Sequence, residues 1–67
     1  MDTVLTQRQN EVMLLTCRGK SAKEIAKEIH ISPRTAEEHR SESIRRLGAK
    51  NLIQAVAIFA SSHPVTA

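Results

Sequence analysis

Residues 21–47 contain two helix start signals, and only two residues separate the segments that these signals open: SAKEIAKEIHISPRTAEEHRSESIRRL. Ser21 and Glu24 form an S-x-x-E capping box, in which the hydroxyl and the carboxylate each accept a hydrogen bond from a backbone N–H at a helix start. Ser32 followed by Pro33 is a second start, because serine is a good N-cap and proline suits the first helical position. So short a connection forces the two helices into contact at a steep angle.

The apolar residues of the first segment recur at three and four positions and therefore share one helix face: Ile25, Ala26 and Ile29. We expect Ile31, in the connection, to fill the gap between the two helices. The second segment is predicted to be helical over residues 33–47, because the freedom of Gly48 to take a positive φ suits a C-terminal cap.

Two further helices flank this pair. Each opens with a capping residue that is followed three positions later by glutamine, namely Thr6 with Gln9 and Asn51 with Gln54. The first of these helices ends at Gly19, and the other is expected over residues 52–60. No stretch alternates apolar and polar residues as a strand would. The prediction is an all-α fold without a wing: one compact four-helix domain over residues 1–67, ordered over about residues 5–61, containing a helix-turn-helix.

The apolar stripes of the first and fourth helices predict the core. Their inward positions are Val12, Met13, Leu15 and Thr16, and Leu52, Ala55, Val56 and Phe59. Leu14 lies off the first stripe and is expected at the surface. Three apolar residues also lie outside the stripe of the fourth helix and predict a partner surface, Ile53, Ala57 and Ile58.

The composition sets limits on size, compartment and partner. A chain of 67 residues is near the lower limit for a domain that folds alone, and with no Trp or Tyr and one Phe its core must be aliphatic. No apolar run reaches membrane-spanning length and residues 1–4 lack a signal-peptide pattern, so the expected compartment is the cytoplasm. The net charge of +3 favours an anionic partner.

No pattern in the chain indicates catalysis, a metal or a cofactor. The histidines His30, His39 and His63 lack metal-ligand spacing with one another or with Cys17, which is predicted to be a structural cysteine. There is no Ser-His-Asp order, paired buried carboxylate or glycine-rich phosphate loop, and so short a helical chain leaves little room for a substrate pocket. We therefore expect a protein that is not an enzyme and needs no cofactor.

The segment 33–47 separates into two faces when its residues are placed at 100° intervals. The inward face holds Ala36, Ser43, Ile44 and Leu47. The outward face is polar and charged, with Arg34, Glu38, Ser41 and Arg45 flanked by Glu37 and Glu42. Mixed charges also occur on any solvated helix, and several of these residues fall at i, i+4, where exposed pairs such as Glu42 with Arg46 stabilise a helix only weakly.

The capped pair of helices with its short connection favours double-stranded DNA as the partner, with the second helix in the major groove. Candidates for contact with base edges are Glu37, Glu38, Ser41 and Glu42, since a carboxylate accepts from the cytosine amino group. Candidates for contact with phosphate are Lys20, Lys23, Arg34, Thr35, Arg45, Arg46 and Lys50.

The residue pattern resembles the LuxR/FixJ-type helix-turn-helix domain of bacterial transcription regulators over residues 5–60. The matching positions are Leu5, Thr6, Arg8, Glu11, Val12, Met13, Leu15, Gly19, Lys23, Glu24, Ile25, Ala26, Ile31, Ser32, Thr35, His39, Leu47, Gly48, Ala49 and Lys50. This resemblance implies a four-helix domain in which the third helix contacts the major groove and the fourth packs against a second copy, as a homodimer on a two-fold site. It implies base contacts by Glu37, Glu38 and Ser41, and phosphate contacts by Arg34, Thr35 and Arg46.

The chain departs from the family at several positions. The family has a valine where Ala36 stands and an isoleucine or valine where Ser43 stands, so the third helix is expected to be loosely held unless its neighbours fill in. The family also has a glutamate where Gln9 stands. It has a small apolar residue where Glu38 stands, and this departure leaves the favoured base sequence undetermined.

The run Ile31-Ser32-Pro33-Arg34-Thr35 is most similar to the FixJ subgroup of response regulators. This subgroup favours the output domain of a two-component protein with a receiver domain upstream over a stand-alone regulator, and RNA polymerase is then a further candidate partner. Two alternatives remain: a promoter-binding domain like region 4 of sigma factors, and a helical protein-interaction module that uses Leu14, Ile53 and Ile58.

Overall fold

The computed structural model describes residues 4–62, so His63 and Pro64 lie outside the described part of the chain. Four α-helices follow one another there, α1 (Gln7–Cys17), α2 (Ala22–Ile29), α3 (Pro33–Arg46) and α4 (Leu52–Ser62), and these residues contain no strand. The all-α prediction is confirmed. None of these helices is long and apolar enough to cross a membrane.

Two predicted helix ends differ from the structure. The third helix was expected to include residue 47, but Leu47 is its C-cap and Gly48 follows with φ 72°. The fourth helix was expected to end at residue 60 but continues to Ser62. The extension is compatible with the sequence, because Pro64 restricts mainly the residue directly before it.

Side-chain caps hold the start of every helix, as the sequence predicts. Thr6 and Ser21 each form a complete capping box, and in the second of these the Ser21 amide donates to Glu24 Oε1 over 2.8 Å. At α3 the Thr35 amide donates to Ser32 Oγ over 3.0 Å. At α4 the Gln54 amide donates to Asn51 Oδ1 over 2.8 Å. Each cap satisfies a backbone donor that a helix start leaves without an intrahelical acceptor.

The connection between α2 and α3 depends on one residue in a left-handed conformation. His30 has φ 60° and ψ 49° and is the C-cap of α2. The next amide, that of Ile31, donates to the Ala26 carbonyl over 2.9 Å and closes the end of the helix. Glycine usually occupies such a position, since a side chain there costs roughly 1–2 kcal/mol. The sequence pattern predicted the short connection but not this conformation.

Two apolar clusters form the core. The first joins α1, α2 and α3 through Val12, Leu15, Ala22, Ile25, Ala26 and Ala36. Ile31 packs against it, which confirms that this side chain fills the gap between α2 and α3. The second cluster joins the segment before α1 to α1 and α4 through Leu5, Met13, Ala55 and Phe59. Leu14 packs against the second cluster, so its expected place at the surface was wrong.

The two small residues on the inner face of α3 are completely buried. Ala36 and Ser43 both have no exposed surface. The Ser43 hydroxyl donates to the His39 carbonyl one turn earlier over 2.7 Å, so the buried oxygen has a partner. Neighbouring helices therefore cover both positions, where the family has larger residues. The third helix was expected to be loosely held only if its neighbours left these positions open.

The capping box of α2 predicts a particular acid dependence of stability. The hydrogen bond from the Ser21 amide lowers the pKa of Glu24 from its ordinary value of 4.5, so the folded state favours the carboxylate. This contribution is complete above pH 4.5 and is lost as the pH falls through the lowered folded-state pKa. We expect Glu24→Gln, which keeps an oxygen acceptor, to unfold with a shallower loss of stability in acid.

Urea denaturation from pH 7 to pH 3 measures this difference in the free energy of unfolding. Glu28→Gln, the same change on the same helix but outside the cap, is the control. Parallel pH curves for the wild type and Glu24→Gln would contradict the stated origin of the pKa shift.

Candidate nucleic-acid interface

The outer face of α3 forms one continuous polar surface. Its central side chains border a single surface depression and are Arg34, Glu37, Glu38, Ser41, Glu42 and Arg45. They are the six residues that the 100° spacing placed outward, while Ala36 and Ser43 on the opposite side are buried. The inner side chains fix the helix to the domain, and the outer ones are presented together on one face.

Ion pairs engage four of these six side chains. Arg34 Nε lies 3.3 Å from Glu38 Oε2, and both side chains are largely exposed, at 87% and 64%. Glu42 Oε2 accepts from Arg45 Nη2 and lies 3.4 Å from Nε of Arg46. Such exposed pairs contribute little to stability and open readily when a stronger partner arrives.

The charges at the second half of α3 support one another. The hydrogen bond from Arg45 is the main reason that the pKa of Glu42 lies below its ordinary value. The same bond raises the pKa of Arg45. Glu42 is therefore ionised at neutral pH, and its negative charge is paired with the two arginines that follow it.

Glu37 and Ser41 differ from their four neighbours. Both are exposed, and within residues 4–62 neither side chain forms an ion pair or a hydrogen bond. They stand one helical turn apart, at i and i+4, on the edge of the same depression. Their polar atoms are therefore available to an external partner without the loss of an internal contact.

Arg46 joins the end of α3 to the segment before α1. Besides its contact with Glu42, its Nη1 donates to the Val4 carbonyl over 3.1 Å. The adjacent Leu5 is buried in the second core cluster. The sequence predicted Arg46 as a phosphate contact, and no local pattern could have indicated this bond between residues so far apart in the chain.

The start of α3 places Arg34 and Thr35 at the positive end of the helix dipole, where Ser32 already accepts from the amides of Thr35 and Ala36. Pro33 occupies the first turn, and Ser32 caps it, with its hydroxyl donating to Thr35 Oγ1 over 2.8 Å. A helix N-terminus attracts anions through its amides and its dipole. The long exposed side chain of Arg34 stands next to this positive end.

The three lysines predicted to contact phosphate are exposed and lie at the edges of the helix pair. Lys20 and Lys23 flank the start of α2, where Lys20 Nζ is 3.9 Å from Glu28 Oε1. Lys50 precedes α4. A second depression between α2 and α3 includes Lys23 together with Lys27, a cation that is not among the predicted phosphate contacts.

The predicted partner surface on α4 is only partly exposed. Ile53 is 82% exposed, the most exposed of the large apolar side chains in residues 4–62. Ala57 is also exposed, whereas Ile58 is half-buried. Leu14 does not join this surface, because its half-buried side chain packs against the second core cluster.

Residues 4–62 contain no group of three or more His, Cys, Asp or Glu side chains that could hold a metal ion. Cys17 is half-buried and packs against the second core cluster. Burial raises the pKa of its thiol, which disfavours the reactive thiolate and agrees with a structural role.

Comparison with known proteins shows a match over most of the chain. The family model for bacterial regulatory proteins of the luxR family matches residues 3–59. The transcriptional activator protein BjaR1 of Bradyrhizobium diazoefficiens is 50% identical over 56 residues, which are 84% of this chain and 23% of BjaR1. The response regulator protein VraR of Staphylococcus aureus is 38% identical over 60 residues, 90% of this chain and 28% of VraR.

A shorter protein and a solved structure match as well. The spore germination protein GerE of Bacillus subtilis is 43% identical over 53 residues, 79% of this chain and 72% of GerE. The structure of the transcription factor GerE superposes with a TM-score of 0.84 at 31% identity and covers 91% of each chain. The present chain thus spans about a quarter of BjaR1 and VraR but most of GerE.

The bond from Arg46 to the Val4 carbonyl predicts different effects for two adjacent arginines. Arg46→Ala removes this bond and the contact with Glu42, whereas Arg45→Ala removes only a contact with Glu42. We expect Arg46→Ala to lower the free energy of unfolding by about 1 kcal/mol more than Arg45→Ala, the usual net value of one hydrogen bond. Urea denaturation at neutral pH measures it, and equal stability of the two variants would contradict the structural role of Arg46.

Proposed function

The chain belongs to the LuxR family of bacterial regulatory proteins, DNA-binding regulators of transcription, and from this membership we propose that it binds double-stranded DNA with α3 in the major groove. The main support is the arrangement of α3, whose inner face is buried while its outer face presents six polar side chains together. An α-helix fits the major groove, and the outer residues of such a helix contact base edges.

The phosphate contacts in this proposal lie around the edge of the presented face. Arg34 and Thr35 act at the start of α3, where backbone amides add to the attraction of an anion. The remaining cations are Arg45, Arg46, Lys20, Lys23 and Lys50. Those arginines that are paired with glutamate exchange a weak exposed contact for a phosphate, and each phosphate contact releases about one counterion.

The base contacts in this proposal come from the centre of the face, which holds Glu37, Glu38, Ser41 and Glu42. Carboxylates repel the phosphate backbone, so they contribute to the choice of sequence more than to affinity. Affinity then depends on the flanking cations and on the number of domains bound.

We further propose that two copies bind a two-fold site as a homodimer through α4. The exposed Ile53 and Ala57 and the half-buried Ile58 supply an apolar surface on that helix. A two-fold interface places the same patch of both copies in contact. This surface is small, so pairing that occurs only on DNA agrees with it.

The wider context is also a proposal. The chain spans about a quarter of VraR, a response regulator protein, and of BjaR1, a transcriptional activator protein. We propose that it acts in the cytoplasm as a single DNA-binding domain of a transcription regulator, with a receiver domain upstream and RNA polymerase as a further partner. The rival interaction module loses support, because the half-buried Leu14 packs against the second core cluster.

Filter binding to genomic DNA fragments at two salt concentrations tests the proposal. The wild type should bind at about 50 mM salt and weaken steeply as the salt rises. Arg34→Ala should weaken binding to all sequences and reduce the slope of log K against log salt by about one, because one phosphate contact is lost. Arg8→Ala on α1, which also removes a glutamate-paired arginine, is the matched control.

The absence of binding by the wild type at about 50 mM salt would reject DNA binding as the function. Unchanged binding when both Arg34 and Arg46 are replaced by alanine would reject the proposed phosphate contacts of α3.

The dimer proposal predicts that a substitution on α4 weakens binding to DNA with two half-sites but not to DNA with one half-site. Ile53→Ser removes the most exposed apolar side chain of α4 and should weaken binding to a site with two half-sites about tenfold, or roughly 1.4 kcal/mol. Binding to one isolated half-site should not change. Val4→Ser, at the other large exposed apolar residue of the described part, is the control. A wild-type footprint that covers only one half-site at saturation would contradict the dimer.

A further inference from the structure

The depression between α2 and α3 combines apolar and cationic side chains. It has a volume of about 380 Å³, and its lining comes from both helices and from the connection between them. The lining residues are Lys23, Glu24, Ala26, Lys27, Ile31 and Pro33. None of them borders the depression on the outer face of α3, and only Lys23 has a role in the proposed DNA contacts. The two depressions are therefore built from separate side chains.

The apolar part of this depression has a shape that the backbone fixes. Ala26 is buried, Ile31 is half-buried and Pro33 is exposed. The Ile31 amide donates to the Ala26 carbonyl over 2.9 Å, so the connection is tied to the end of α2. Ile31 also packs against the first core cluster, which holds its side chain in place. A partner would therefore meet an apolar surface that is already formed.

The cationic part comes from two lysines of α2. Lys23 and Lys27 lie at i and i+4 and are thus one turn apart, about 5.4 Å along the helix axis. Both are exposed, and within residues 4–62 neither ammonium group has an ion pair or a hydrogen bond. Among the six lining residues Glu24 alone carries a carboxylate, and its Oε1 accepts from the Ser21 amide over 2.8 Å. Two unpaired cations therefore face one carboxylate that the helix cap already engages.

This combination fits a protein segment better than it fits a phosphate or a small molecule. A phosphate would pair with the lysines but would cover none of the carbon atoms of Ile31 and Pro33. A small-molecule site buries most of its ligand, whereas four of the six lining residues here are exposed. An amphipathic helix needs to bury only one face, and such helices bind in apolar grooves.

We propose that this depression docks an acidic amphipathic helix of a partner protein. Carboxylates of that helix pair with Lys23 and Lys27, and an apolar side chain on the same face packs on Ile31 and Pro33. The charge complementarity sets the sign of the partner. The inference goes beyond DNA binding and does not depend on it, since Lys27, Ile31 and Pro33 have no role in the proposed DNA contacts.

The spacing of the lysines also sets the pattern of the partner helix. Side chains at i and i+4 of a helix have Cβ atoms about 5–6 Å apart, so two carboxylates at that spacing match two lysines at the same spacing. An apolar residue three or four positions from either carboxylate lies on the same face. The partner segment is therefore expected to carry acidic residues at one-turn intervals together with an apolar residue on that face.

Selection from a phage-displayed library of random peptides, with the wild-type chain as bait and no DNA present, tests the proposal. The enriched peptides should be acidic and should contain an apolar residue at helical spacing from the carboxylates. A synthetic copy of an enriched peptide, labelled with fluorescein, then gives the affinity. Replacing its apolar residue by serine should weaken binding about tenfold, because that side chain loses its burial.

Charge changes at Lys27 test the position of the site. Lys27→Gln should weaken binding of the labelled peptide about fivefold and Lys27→Glu tenfold or more, since one removes an ion pair and the other adds repulsion. Arg18→Glu, the same charge reversal at an exposed cation of α1, is the matched control and should bind as the wild type does. Thermal unfolding of Lys27→Gln should match the wild type, because Lys27 is exposed.

Filter binding separates a protein partner from DNA at this surface. Lys27→Gln should leave the slope of log K against log salt unchanged, whereas the loss of a phosphate contact lowers it by about one. A lowered slope would assign the depression to the DNA interface and would overturn the proposal.

Three results of the peptide experiments would also overturn it. The first is the absence of any enriched peptide, and the second is enrichment of peptides without acidic residues. The third is equal affinity of the labelled peptide for the wild type and Lys27→Glu. Each of these outcomes leaves the proposed DNA binding unaffected, because the peptide experiments contain no DNA.

Discussion

The three-residue connection between α2 and α3 is the constraint on which the rest of the structure depends. His30 takes a left-handed conformation and the Ile31 amide returns to the Ala26 carbonyl, so α3 leaves α2 in a fixed direction. Ile31 then packs into the first core cluster and prevents the helices from sliding apart. With its direction fixed, α3 buries Ala36 and Ser43 and must present the opposite side to solvent. The left-handed conformation of His30 costs roughly 1–2 kcal/mol of folding free energy, and the burial of these side chains offsets that cost.

The helix starts were predictable from the sequence because capping is local. A serine, threonine or asparagine and the residue three positions later determine each of them, as at Ser21 and Glu24. The outer face of α3 was predictable for a similar reason, since helical periodicity alone assigns it. Spacing indicated the pair of Glu42 with Arg46, but it could not show that Glu37 stays unpaired, because Arg34 and Arg40 both lie three residues from it. It also missed contacts between distant segments, such as the packing of Leu14 and the bond from Arg46 to Val4.

The chain carries a net positive charge although the outer face of α3 holds three glutamates, and these two features are compatible. The chain has ten Lys and Arg residues against seven Asp and Glu, and two of the three glutamates on this face are balanced by arginines beside them. Their opening costs little at exposed positions, and in the proposed complex each of these arginines would exchange the carboxylate for a charge-assisted hydrogen bond to phosphate. Most of the negative charge on the face thus lies beside a cation that can move, and the uncompensated part is confined to Glu37.

The bond between Arg46 and the Val4 carbonyl also determines where a preceding polypeptide would emerge. Val4 lies at the last turn of α3, and the adjacent Leu5 packs with Ala55 and Phe59 of α4. A module joined ahead of Val4 would therefore be tethered beside both the DNA-facing helix and the helix proposed to pair with a second copy. The length and stiffness of the linker would set the effective concentration of such a module at either helix. The module could then act on these helices without a rearrangement inside the four-helix core.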